Sequence, residues 1–159
     1  MEADGFDSLL QFSATMLVIR QTDYEQMRRE AEQNYPCEGC GILVGSAEGG
    51  GRVVSMAIAC NNMRTDSPGN RYSIDPQQII AAQKLARSRG EDILGFYHSH
   101  PDHPSRYSST DLAEAHWFGC SYVITAVQKG RATITESFLL QGTTERKKSF
   151  EPEKIEVRQ

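Results

Sequence analysis

The run Ile93-Leu94-Gly95-Phe96-Tyr97-His98-Ser99-His100-Pro101 constrains this chain more than any other segment. Its apolar opening reads as a strand buried in a sheet. Side chains alternate along a strand, so residues two apart share a face. His98 and His100 must therefore project together from the end of a buried strand, where polar side chains need partners. The segment Pro101 to Tyr107, with prolines at 101 and 104, leaves the strand as a loop. Ser108 and Asp111 follow at the start of a helix expected over Ser109 to Phe118. Two histidines and a carboxylate form a catalytic zinc ligand set that leaves the fourth tetrahedral position to water. His98, His100 and Asp111 are the expected ligands. A base is also needed, and Glu38 is the candidate. It lies in Tyr35-Pro36-Cys37-Glu38-Gly39-Cys40, a helix end and turn running into a second apolar strand, Gly41 to Gly45.

A His-x-His pair alone more often marks two polar residues on one face than a metal site. The other residues decide the matter. Glu38, His98-Ser99-His100-Pro101, Ser108 and Asp111 resemble the JAMM, or MPN+, metalloprotease pattern. That pattern is a glutamate, then His-Ser/Thr-His-Pro, six residues, Ser, two residues, Asp. Glu38 to Gly45 resembles the family's Glu-x-Cys-Gly strand, Arg71 to Pro76 its Tyr-x-Ile-Asp-Pro segment, and Ser121 to Ile124 the strand after its helix. The likeness spans about Met16 to Leu140 and is nearest to the small prokaryotic single-domain type.

The resemblance implies an α/β MPN (cytidine-deaminase-like) fold, a mixed β-sheet flanked by helices. It implies one Zn2+ per chain on His98, His100 and Asp111, with Glu38 as general base and Ser108 as oxyanion donor. The implied reaction is hydrolysis of the amide bond after the C-terminal Gly-Gly of a ubiquitin-like or sulfur-carrier protein. The alternative is a noncatalytic MPN protein-interaction scaffold, though every residue of the catalytic pattern is present. Tyr107 stands where many prokaryotic members have proline, which bears on loop shape.

The 159 residues suit one domain, 38% of them hydrophobic. Residues 1–15 fall outside the resemblance and are expected to be a leader, with the domain over 16–159. The net charge of −4 points away from nucleic acid. No apolar run is long enough for a membrane span, and the acidic start lacks a secretory n-region. A cytoplasmic enzyme with mostly reduced cysteines is expected. The oligomeric state is left open.

Local patterns predict further elements. Met16 to Arg20 reads as a strand. A helix follows with a Thr22-x-x-Glu25 capping box and with Tyr24, Met27 and Ala31 on one face. Ser46 to Gly51 reads as a turn into a strand over Arg52 to Ala59. Asp75-Pro76 opens a helix that Gly90 closes. Tyr122 to Val127 and Ala132 to Leu140 flank a Lys129-Gly130 turn. A short strand is expected near Ile155 to Val157.

Several residues admit plainer readings. Cys37-x-x-Cys40 spells the second half of a zinc deaminase signature, but no His-x-Glu precedes it. It leaves a disulfide, a redox pair or a structural metal site open, although Cys40 suits a small buried strand residue. His103 reads as a solvated loop residue that could also touch substrate, and His116 as a packing or surface residue. Arg146-Lys147-Lys148 reads as a solvated turn.

Overall fold

The computed structural model describes residues 16–48, 51–64, 66, 69 and 71–159. The expected leader, 1–15, lies outside them, as does the centre of the expected Ser46–Gly51 turn. Among the described residues seven strands form one sheet: β1 (Met16–Arg20), β2 (Cys40–Glu48), β3 (Gly51–Cys60), β4 (Asp92–Pro101), β5 (Ser121–Gln128), β6 (Arg131–Gln141) and β7 (Ser149–Arg158). Their order is β1-β3-β2-β4-β5-β6-β7, and the sheet closes because β1 pairs in parallel with both β3 and β7. The expected α/β class and mixed sheet are observed. The closure goes beyond the expectation: the short strand anticipated near Ile155 is a ten-residue strand that seals the barrel.

Helix α1 (Gln21–Asn34) touches six of the strands and lies on the inner face of the curved sheet. Met27 and Ala31 are buried and Tyr24 is half-buried, as the helical pattern predicted. Met27 packs with Leu17, Ile19, Leu43, Val54, Leu94, Tyr97 and Val123. The Thr22 capping box does not form. β1 passes straight into the helix, so Arg20 is the N-cap and Thr22 already lies in the first turn. The Arg20 guanidinium binds Asp23 instead, at 2.9 Å.

Helix α2 (Pro76–Ser88) covers the opposite face. Ala82 and Ala86 pack with Ile42, Val44, Phe96, Tyr122 and Ile124. Asp75 caps it by accepting the Gln77 amide at 2.9 Å, and Gly90 leaves it at φ +69°. Strand alternation thus supplies two cores, one on each side of β2 and β4. Close packing explains a glycine of the recognised strand: a Cβ on Gly41 would collide with the Tyr97 ring opposite it. The Lys129-Gly130 turn takes positive φ at both residues (49° and 83°), as a two-residue hairpin requires.

Helix α3 (Ser109–Glu114) is shorter than the expected Ser109–Phe118. Lys148 Nζ donates to the carbonyls of Ala113 (3.0 Å) and Ala115 (2.8 Å), satisfying groups that a further turn would have used. The Lys148 side chain is therefore largely covered, while Arg146 and Lys147 stay exposed in the turn as expected. The Tyr122 hydroxyl holds the Trp117 amide outside the helix.

A buried polar network ties the inner face. Arg52 on β3 bonds Glu153 on β7 at 2.9 Å and also reaches Ser121 and the Leu94 carbonyl. Glu153 accepts the hydroxyls of Ser121 (2.6 Å) and Ser137 (2.7 Å). Five strands meet in these contacts. Among the described residues no helix is long and apolar enough to cross a membrane.

Candidate active site

The end of β4 places His98 and His100 on one face, as alternation required, and both are buried. Their Nε2 atoms are 3.2 Å apart. Asp111, in the first turn of α3, brings Oδ1 to 3.3 Å from His98 Nε2 and Oδ2 to 3.1 Å from His100 Nε2. Donors bonded at about 2.0 Å to a tetrahedral zinc are separated by roughly 3.3 Å. The three separations match the edges of such a site, and the donor set fits the metal. Glu38 comes from the turn before β2, and one of its carboxylate oxygens lies within 4.8 Å of both imidazole donors. Its Oε1 is buried without a hydrogen-bond partner among the described residues. The site is therefore able to bind a metal ion.

The two histidines are held differently. A carbonyl can only accept, so the 2.8 Å contact between His100 and Pro104 makes Nδ1–H the donor. That fixes the neutral tautomer with a free lone pair on Nε2. His98 Nδ1 is buried and unpartnered among the described residues. Its ring instead stacks on Tyr72, with centroids 4.3 Å apart and planes at 22°.

Asp111 and Ser108 cap one another. The Ser108 hydroxyl accepts the Asp111 amide at 3.0 Å, and Asp111 Oδ2 accepts the Ser108 amide at 2.8 Å. The Ser108 hydroxyl proton stays available to another acceptor. Ser99 points to the other face, where its hydroxyl accepts the Gly39 amide at 2.8 Å and steadies the turn carrying Glu38. Asn62 donates to the Glu38 carbonyl at 3.1 Å. The roles of Ser99, Asn62 and the Pro104 carbonyl had no local sequence signal, because each contact joins distant segments or uses backbone.

Burial pushes the Glu38 carboxyl up to about 8, against the pull of His100. Burial also acts to raise Asp111, but hydrogen bonds from His100 and His98 outweigh it and hold that carboxyl well below the usual range. Burial lowers His98 despite Asp111. Burial works the same way at His100, but Asp111 and Pro104 reverse it and leave this imidazole raised. The two carboxyls are thus pushed in opposite directions within one site, Glu38 up and Asp111 down.

The structure brings together Glu38, His98, His100, Ser108 and Asp111. Cys37 and Cys40 are not joined, and all four cysteines are free thiols. Cys40 is buried in β2, the plain reading of that residue. His103 is exposed at the cleft, and His116 is exposed and bonded to Glu145 at 2.9 Å.

A buried His-x-His strand end, a capped aspartate and a nearby glutamate on this sheet define a JAB/MPN-type hydrolase. Residues 21–140 match the family described as prokaryotic homologs of the JAB domain, and the chain belongs to that family. It is 35% identical over 109 residues to the desampylase of Haloferax volcanii, covering 69% of this chain and 76% of the relative. It is 33% identical over 110 residues to the "Probable TtuB-protein conjugate cleaving protease" of Thermus thermophilus, covering 69% and 70%. A solution structure of a protein from Desulfitobacterium hafniense matches with a TM-score of 0.76 at 30% identity, covering 90% of this chain and 93% of that one. A JAB1/MPN domain protein from Archaeoglobus fulgidus shares the fold, with a TM-score of 0.53 at 18% identity, covering 89% and 98%.

Proposed function

We propose that this protein is a zinc (iso)peptidase that hydrolyses the amide bond after the C-terminal Gly-Gly of a ubiquitin-like or sulfur-carrier protein. The observation that carries the reading is the convergence of His98, His100 and Asp111 at tetrahedral separations beside a buried, unpartnered Glu38. The relatives named for cleaving such conjugates support the substrate class. Free cysteines throughout suit a cytoplasmic location.

His98, His100 and Asp111 would hold the zinc, which when bound supplies Lewis acidity towards water and the scissile carbonyl. Glu38 accepts the proton of the attacking water. It then passes the proton to the leaving nitrogen. Ser108 donates its hydroxyl to the carbonyl oxygen as negative charge develops there. Asp111 keeps α3 in register through the reciprocal cap, so its carboxylate and the Ser108 hydroxyl move together. No covalent intermediate is needed. A diglycine tail lacks side chains and can lie extended in a narrow cleft.

The test is incubation of the zinc-loaded protein with diglycine-ending small proteins of its own organism, each carrying a short C-terminal extension or an isopeptide-linked lysine, read by mass spectrometry. Cleavage directly after the diglycine, lost on chelation, is expected. Intact substrates with a fully zinc-loaded protein would sink the reading in favour of a binding scaffold.

A further inference from the structure

The cleft beside His100 has a volume of about 440 Å³. Glu38, His100 and Ser108 line it, together with Arg71, His103 and Arg106. Among the described residues Glu38 is the one carboxylate in that lining, although acidic residues outnumber basic ones in the whole chain, 21 to 17. The cleft wall thus opposes the charge of the protein that carries it.

The two arginines come from separate segments. Arg71 precedes Tyr72, whose ring rests on His98. Arg106 stands in the loop between His100 and Ser108. Both are exposed, and among the described residues neither guanidinium makes a hydrogen bond or ion pair. Arg20, Arg28 and Arg52 differ, each tied down by protein partners. A guanidinium at the wall of a concave site offers a fork of donors that matches a carboxylate, and the concave shape focuses its field.

We propose that this cleft selects a substrate segment bearing a carboxylate within a few residues of the scissile amide, and that Arg71 and Arg106 bind it. The proposal rests on the peptidase reading and narrows its substrate. The carboxylate has two available sources. One is the free α-carboxylate of a short extension beyond the diglycine; the other is an acidic side chain in the tail before it. A tail rich in lysine or arginine is disfavoured by the same field.

The experiment uses fluorescent peptides with a central diglycine, in four forms: a short extension ending as the free acid or the amide, each with glutamate or lysine before the diglycine. kcat/KM and binding by anisotropy are measured for zinc-loaded wild type, Arg71→Gln and Arg106→Gln, with thermal melts as the fold control. Wild type is expected to prefer a carboxylate form, with each substitution reducing that preference roughly three- to tenfold and added salt reducing it too. Preference for acid over amide identifies the α-carboxylate, and preference for glutamate over lysine identifies the tail. Equal cleavage of all four forms overturns the proposal while leaving the peptidase reading intact. Arginine-dependent binding without cleavage does the reverse. Neither cleavage nor charge-dependent binding overturns both.

Discussion

Ser108 and Asp111 hold each other's backbone amides, at 3.0 and 2.8 Å, so the hydroxyl proposed to meet the substrate and the carboxylate proposed to meet the metal form one capped turn. A change in either is felt by the other.

Asp111→Ala should therefore release the metal, and Asp111→Asn should hold it weakly while still capping α3. Ser108→Ala should weaken metal binding only severalfold, since losing a cap costs about 1 kcal/mol, yet lower kcat by roughly a hundredfold or more. Zinc titration with single-turnover cleavage separates the two effects. Equal metal loss in Ser108→Ala and Asp111→Ala would assign Ser108 a purely structural role.

Glu38→Gln should keep zinc and reduce turnover by roughly a hundredfold to ten-thousandfold, because an amide cannot carry the proton. The metal-free protein offers a second reading of the same group. Its carboxyl is raised from 4.5 to about 8 by burial, so the folded state holds a proton that the unfolded state releases. The stability contributed by this group is full below pH 4.5 and is lost as pH rises through about 8. Relative to Glu38→Gln, the metal-free wild type should lose stability across that window in urea titrations at several pH values. A flat difference would mean that the carboxyl titrates normally.

Tyr72 should matter through its ring rather than its hydroxyl. It stacks on a histidine whose other nitrogen has no described partner, whereas His100 has the Pro104 carbonyl. Tyr72→Phe should preserve zinc affinity, and Tyr72→Leu should weaken it by about tenfold, the low end of losses when a ligand's support is removed. Competition with a chromogenic chelator measures both. Unchanged affinity in Tyr72→Leu would show that packing elsewhere orients His98.

The sequence carried the local part of this site well. Alternation put His98 and His100 on one face, and the loop after them brought Asp111 back at a helix start, although the reciprocal cap between Ser108 and Asp111 was not anticipated. It carried the non-local part poorly. The end of α3 depends on Lys148, far along the chain, and the start of α1 depends on where β1 stops. The ring that steadies His98 lies in a polar loop with no periodic pattern. β7 is studded with charge and proline, so it reads weakly as a strand until β1 and β6 are seen on either side.

Glu153 offers a test of that closure. Its carboxylate is fully buried against Arg52 and two serines. Glu153→Ala should cost about 3–5 kcal/mol by stranding the guanidinium, and Arg52→Met/Glu153→Met should recover much of it. Urea denaturation of the three proteins decides; a loss below about 1 kcal/mol in the single variant would mean that water reaches Arg52.

The parallel pairing of Met16–Arg20 with Lys154–Arg158 joins the beginning and the end of the described chain. Contacts so distant in sequence form late, since the long intervening loop must first be closed. A chain emerging from the ribosome cannot seal this sheet until its last strand is out, and until then β1 and β6 each present an open edge. The interval between synthesis and closure is therefore when this protein is most exposed to aggregation. Refolding should be slow for a domain of its size.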